Sequence, residues 1–342
     1  MRLIDVNLLE PGMVLASPVY SYGGRVLLRE TVVLTQAYVE RIQKMNIQCV
    51  YIFDKLSSAI DVTTVIDRKH LMKAYSAMKK KNYDLCIAVA SSIVNDIRSN
   101  VSRVPNMQQL QYFDNSTFNH SVRVAVLATL VGIELWLPEE KLNNIALAGM
   151  LHDIGKEKIP IDILRKQGEL TDEEYSLIQK HTEFGYEMIR EFSTIPAVVK
   201  HAILYHHENE DGSGYPHHKK SKEINIIAKI IHVCDVYDAM VSKRSYKESF
   251  SPAYAREFLV KNVNIMFDPS VVSVFLTAVF PYATGMSVIL SDGRTAIVSC
   301  NHKGSVSEPD VILSDTGETI ELRHTPGLFI VKAANENQCA NF

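Results

Sequence analysis

The sequence predicts a multidomain protein: a mainly α-helical domain flanked by a small N-terminal mixed α/β module and a small C-terminal β module. Three observations predict it. At 342 residues the chain is too long for one ordinary core. Between about residues 105 and 283 apolar residues recur at helical spacing almost without a break. At both ends, short apolar runs are punctuated by Gly and Pro, the pattern of strands and tight turns. Hydrophobic content of 46% and charged content of 22% are those of a soluble globular protein, and a net charge of −3 argues against a general nucleic-acid binder. The start, MRLIDVNLLEPGMV, lacks the basic residues and apolar run of a signal peptide. No stretch approaches the roughly 20 apolar residues that span a bilayer. The expectation is a cytoplasmic protein without a membrane span. The five cysteines are scattered, with no C-x-x-C pair, and read as reduced core or surface thiols rather than a disulfide framework or a zinc site.

Residues 1–56 form the first module. Met13-Val14-Leu15-Ala16 and Arg25-Val26-Leu27-Leu28 are bounded by Pro11-Gly12, Pro18 and Gly23-Gly24 and read as strands. Thr35 to Met45 has helical spacing, and Cys49 to Phe53 reads as a closing strand. No catalytic cluster falls here, so a docking or regulatory role is expected. Residues 57–104 read as a linker and a helical pair, with Leu71, Tyr75 and Met78 on one helix and Leu85 to Ile97 on the next. Lys79-Lys80-Lys81 between them reads as a solvated turn. The main domain occupies 105–283. A β module follows at 284–333, with strands at Val288-Leu290, Ala296-Val298, Asp310-Leu313 and Leu328-Val331 and turns at Ser291-Asp292-Gly293 and Asp315-Thr316-Gly317. Residues 334–342 read as a frayed tail.

The chemistry collects in the main domain. Phe118 to Leu130 is a helical stretch carrying His120. A helix over 139–154 ends on His152-Asp153, and Gly155 reads as its left-handed terminus. A neutral imidazole beside a carboxylate suits a first-row divalent ion. Thr171-Asp172-Glu173-Glu174 reads as a helix start, with acidic residues at the positive end of the dipole, on a helix carrying His181. Pro196 to Tyr205 delivers His206-His207, a glycine-containing loop follows, and Ile224 to Met240 is an apolar helix carrying Asp235 and Asp238. Other histidines read as structural or solvated: His201 off the face of His206-His207, His217 and His218 after the loop, His232 packed, and His70, His302 and His324 on the surface.

His-Asp-Ile-Gly-Lys at 152–156, followed by HHENEDGSGYP at 206–216, resembles the HD-GYP family of HD metal-dependent phosphohydrolases. The resemblance extends to Asn119-His120-Ser121, to His181-Thr182-Glu183, and to Asp235-Val236-Tyr237-Asp238 with Arg244-Ser245-Tyr246-Lys247 behind it. It spans roughly 115–280, five blocks in the family's order. More loosely, residues 1–56 resemble a module often found before such domains.

The resemblance implies a helical HD-type catalytic domain and hydrolysis of cyclic di-GMP to pGpG or GMP, with cyclic GMP-AMP as an alternative substrate and non-hydrolytic sensing as an alternative role. It implies two divalent metal ions, iron or manganese. His120, His152, Asp153 and Asp235 would hold one; Asp153, His181, His206 and His207 would hold the other, with Asp153 as the bridge. Two such ions clamp the attacking and leaving oxygens of an in-line displacement. Lys156, Arg244 and Lys247 would meet phosphate oxygens. Gly212 and Gly214 would turn the loop, and Tyr215 would either stack on a guanine or pack that loop. Implied partners are the dinucleotide, a GGDEF-domain protein and a second copy of the chain. Two positions depart from the family: Ser116 stands where some members place a third-metal glutamate, and Asn209 stands where arginine is usual.

Overall fold

The computed structural model describes residues 1–20, 25–45, 47, 49–54, 57, 60, 66–100, 117–242 and 250–334. Ser116, Arg244 and Lys247, the turn at Gly23-Gly24, most of the linker and nearly all of the tail lie outside the described residues. The chain divides into two compact units. One combines the N-terminal segment through residue 65 with the C-terminal segment from residue 280; the other takes 66–100 and the region up to residue 279.

In the first unit, β1 (Arg2–Asp5), β2 (Val14–Leu15), β3 (Val19–Tyr20), β4 (Val26–Leu28), α1 (Gln36–Gln43) and β5 (Cys49–Phe53) follow one another. The Thr35 hydroxyl caps α1 by accepting from the Tyr38 N–H. The strands pair antiparallel as β1-β5-β2 and β3-β4. The C-terminal segment supplies β6 (Ser287–Leu290), β7 (Thr295–Cys300), β8 (Asp310–Leu313), β9 (Thr319–Glu321) and β10 (Ile330–Ala333), in sheet order β10-β6-β7-β8-β9. Alternation puts Val288, Leu290, Val311 and Leu313 in its core. Sequence reasoning missed β1, β3 and β9, which are short, and kept the two strand-rich ends apart. They share a core, because Ile297 of β7 packs with Leu15, Ile42 and Val50 and the Leu3 N–H donates to the Gly285 carbonyl at 2.8 Å.

The second unit is helical: α2 (Arg68–Lys79), α3 (Tyr83–Ser99), α4 (Thr117–Glu134), α5 (Glu139–Leu151), α6 (Ile161–Leu164), α7 (Asp172–Gln179), α8 (His181–Ile189), α9 (Ala197–Tyr205), α10 (Ile226–Val241), α11 (Pro252–Lys261) and α12 (Pro269–Ala278). The expected helical pair is α2 and α3, and it belongs to this unit; Tyr75 of α2 meets Phe118 of α4 edge-on at 5.7 Å. Lys81, beyond α2, pairs with Glu157 at 2.6 Å. α4 is buried almost all round, as a central helix of a bundle must be. No helix among the described residues is long and apolar enough to cross a membrane.

Two expected boundaries move. α5 stops at Leu151, so His152 is its C-cap and Asp153 lies beyond it, not in a last turn, and a 3₁₀ turn over Ile154–Lys158 follows. The helix begun at Thr171, closed by a capping box with Glu174, ends at Gln179, and His181 opens the next helix. Gly155 is not a left-handed terminus. A Cβ there would sit 1.9 Å from the His181 carbonyl oxygen and 2.5 Å from the Gly185 nitrogen, so glycine is needed for backbone contact.

Gly155→Ala should therefore lower unfolding free energy by about 1–3 kcal/mol, an overpacking cost at a backbone contact. Denaturant unfolding checks it, and an unchanged midpoint would mean that the contact yields freely.

Candidate metal centre

Local sequence brings each candidate ligand to one place. Gly149 lets α5 lie on α4, because a Cβ there would come within 2.5 Å of the Ala125 Cα. That approach sets the ring of His152 5.3 Å from that of His120. The Gly155 contact then carries Asp153 to α8, where its Oδ1 is 3.5 Å from His181 Nε2. α9 ends at Tyr205, and the chain leaving it presents His206 and His207 side by side, ring centroids 4.2 Å apart.

The histidines are aimed by their back nitrogens. Nδ1 lies 2.8 Å from the Gly149 carbonyl in His152, 2.6 Å from that of Ile178 in His181, and 2.8 Å from that of Ile203 in His206. A carbonyl only accepts, so Nδ1 carries the proton and Nε2 keeps a lone pair. In His120, Nδ1 meets Asp238 Oδ2 at 2.7 Å while Nε2 meets Asp235 Oδ1 at 2.7 Å.

Two groups result. His120, His152 and Asp153 bring ligand atoms within 4.8 Å of one another, as do His181, His206 and His207. Asp153 stands between them. Its Oδ2 is 3.5 Å from His152 Nε2 and 3.8 Å from His120 Nε2, while Oδ1 faces His181. Asp235 reaches the first group through Oδ1, 3.7 Å from His152 Nε2, and the second through Oδ2, 3.9 Å from His207 Nε2. The seven metal-ligand candidates named from sequence are thus brought together.

These residues fit metal ions. His152 Nε2 and Asp153 Oδ1 are buried without a hydrogen-bond partner, a rare and costly state that a cation in each group would relieve. The Nε2 atoms of His181 and His206 face each other at 3.3 Å. That is close to the about 3.0–3.4 Å between neighbouring ligands when each bond to a divalent ion is about 2.1 Å.

Electrostatics agree with donors ready to bind. Burial, aided by the Lys156 charge, pushes His181 down to about 4. Burial and neighbouring histidines hold His206 and His207 well below the usual imidazole range. Burial also opposes ionisation of Asp153, but Lys156 and three imidazoles outweigh it and keep the carboxyl well below its ordinary range. His120 goes the other way: burial pulls it down, and Asp235 and Asp238 outweigh that and raise it.

Sequence reasoning missed two supports. Arg123 is buried and grips Asp238 with Nε at 2.7 Å and Nη2 at 2.9 Å, fixing the carboxylate that orients His120. The signal was there: Arg123 and Asp238 each lie three residues beyond a predicted ligand on the same helix face. Buried Glu208 accepts from the His217 N–H at 2.7 Å and the Lys219 N–H at 3.0 Å, closing the loop after His207. In that loop Gly212 takes a left-handed φ of 85°. Gly214 has a different role, since a Cβ there would lie 2.4 Å from the His207 carbonyl. Tyr215 stacks on His207 at 4.8 Å, so it packs the loop against a candidate ligand. Lys156 Nζ donates to Asp153 Oδ2 at 2.6 Å. His232 is packed as expected, against Phe267 at 5.0 Å.

Residues 105–271 match the HD domain family. Within that family the domain is of the HD-GYP type. Over 228 residues the chain is 38% identical to a cyclic di-GMP phosphodiesterase of Pseudomonas aeruginosa, covering 66% of this chain and 55% of that protein. It is 36% identical over 183 residues to the cyclic di-GMP phosphodiesterase response regulator RpfG of Xanthomonas campestris, covering 52% and 47%. It is 37% identical over 158 residues to a 3'3'-cGAMP-specific phosphodiesterase of Vibrio cholerae, covering 46% and 30%. The chain thus spans about half or less of the length of these relatives. An HDG"Y"P protein from Bdellovibrio bacteriovorus shares the fold, with a TM-score of 0.54 at 18% identity over 80% of this chain and 97% of that one.

Two outcomes are expected. Asp238→Asn should weaken metal affinity about 10–100-fold, the usual effect of losing the carboxylate behind a ligating histidine; chelator competition measures it, and unchanged affinity would remove Asp238 from the site. The second concerns pH. Burial holds His181 and His232 at about 4 against an ordinary 6.5. The unfolded chain takes up these protons as pH falls through 6.5, and the folded chain does so only near 4. Each group thus contributes stability that is present above 6.5 and lost as pH falls towards 4. His206 and His207 act in the same sense and His120 in the opposite one. The Tm of metal-depleted protein should fall across that window, and a flat profile would contradict buried neutral imidazoles.

Proposed function

We propose that the chain is a metal-dependent phosphodiesterase that hydrolyses cyclic di-GMP, with two divalent ions, iron or manganese, at the paired histidine groups. The observation that carries this reading is the placing of Asp153, one oxygen towards His181 and the other towards His120 and His152. In this reading His120, His152, Asp153 and Asp235 hold one ion, and Asp153, His181, His206 and His207 hold the other. When bound, the ions supply charge to phosphoryl oxygens and a water acidic enough to attack at neutral pH.

The chain's own groups do the rest. Five imidazoles contribute no charge when neutral, so two carboxylates leave the centre a positive surplus that suits a phosphodiester. Lys156 has a carboxylate to hold while Asp153 is unligated, and a phosphate oxygen once Asp153 ligates. Arg244 and Lys247 are assigned to the remaining phosphate oxygens. Beside Asp153 and Lys156 opens a cavity of about 260 Å³ walled by Met78, Phe118, Met150, Ile154 and Ile161. Apolar walls with charged groups at one end suit the flat face of a purine whose phosphate lies at the metals.

Asp153→Ala should bring hydrolysis to background and lower bound metal. The measurement is chromatography of products from cyclic di-GMP and from cyclic GMP-AMP, beside elemental analysis. A variant with full metal content and normal turnover would sink the assignment. Metal-loaded wild type that binds both dinucleotides and cleaves neither would favour a sensor.

A further inference from the structure

We propose that Cys300, His302 and Asp310 form a separate metal site in the C-terminal sheet, for a divalent ion of the zinc class. Cys300 closes β7 and Asp310 opens β8, and the two stand opposite each other in register. His302 follows Cys300 by two residues, so the pairing of the two strands delivers all three. Their ligand atoms lie within 4.8 Å of one another.

The Cys300 thiol donates weakly to the Asn301 carbonyl at 3.7 Å, and two other polar atoms of this cluster are left unsatisfied by the protein. His302 Nε2 and Asp310 Oδ2 approach to 2.9 Å, yet His302 Nε2 and Asp310 Oδ1 are buried atoms without a hydrogen-bond partner. Buried polar atoms are paired in the great majority of cases. Two unpaired atoms beside a thiol call for a cation that accepts nitrogen, oxygen and sulfur together. A thiolate, an imidazole and a carboxylate are the ligand types of zinc, whereas magnesium and calcium take oxygen. Bonds of about 2.0–2.3 Å put neighbouring donors about 3.3–3.7 Å apart, so closing the cluster needs side-chain rotations of about an ångström. Cys300 is exposed and has room to rotate.

The charges balance. Thiolate and carboxylate neutralise a dication, and nearby Arg323 is already held by Glu321 at 2.6 Å. An ordinary His302–Asp310 ion pair would account for the 2.9 Å contact. It gives no reason for the thiol to sit within reach of both. A bound ion would pin the connection from β7 to β8, which is otherwise anchored at the Asn301 side chain through the Tyr282 carbonyl at 3.0 Å.

The centre formed by His120, His152, Asp153, His181, His206, His207 and Asp235 contains no sulfur, so a sulfur-specific signal separates the two sites. The full chain, stripped with chelator and reloaded with cobalt(II), should show a near-ultraviolet thiolate-to-cobalt charge-transfer band saturating at one equivalent. Cys300→Ser should abolish the band, and Asp310→Asn should weaken the binding that produces it at least tenfold. Protein produced with zinc should lose one equivalent on Cys300→Ser, and Asp153→Ala should leave the band intact. Circular dichroism matching wild type establishes that each variant is folded. Absence of the band in wild type, or its persistence in Cys300→Ser, would overturn the proposal and leave an ion pair beside an unused thiol.

Discussion

Asp153 is a buried carboxylate with an ammonium on one oxygen and no hydrogen bond on the other. Burying such a charge costs several kcal/mol unless cations or donors surround it. The helical unit answers that cost locally. Lys156 pairs with it, and the imidazoles of His120, His152 and His181 face it from α4, the end of α5 and the start of α8. Each of those helices must be held in place for the carboxylate to be tolerable. The site is in this sense the constraint around which the bundle is packed, and not an addition to its surface.

Holding the helices that close requires backbone-to-backbone contact. Gly149 at Ala125 and Gly155 at His181 and Gly185 permit it, and Gly214 does the same where the loop turns back on His207. A methyl group at any of these would push apart two elements that carry candidate ligands. The same economy governs the imidazoles. The helix geometry that carries His152, His181 and His206 also offers each a carbonyl three residues back, so one hydrogen bond sets both the ring plane and the tautomer. His120 sits in the first turn of α4 and uses Asp238 instead, itself clamped by buried Arg123.

The candidate ligands were legible because their chemistry is unusual in sequence. Histidine pairs and a His-Asp dipeptide at the ends of apolar helical stretches are rare, and five blocks in one order are rarer. Helix identities were legible from spacing, and Thr171 with the acidic residues behind it marked one start. Helix ends were less so. Nothing local says that α5 stops at Leu151 or that the chain breaks between Gln179 and His181. Strands of two to four residues, such as β1, β3 and β9, carry too little alternation to be read.

The sequence by itself determined which residue types converge, the order in which they arrive and the helical character of the domain that holds them. These depend on composition and periodicity, which are local. Tertiary structure alone decided that Asp153 turns one oxygen to each histidine group, that Asp235 reaches both, and that Arg123 and Glu208 stand behind the candidate ligands. It also decided that the strand-rich ends share one core and that Cys300 meets Asp310 across β7 and β8. Each of these joins residues distant in the chain. A side chain's partner at such a separation is fixed by packing and burial, and periodicity carries no information about it.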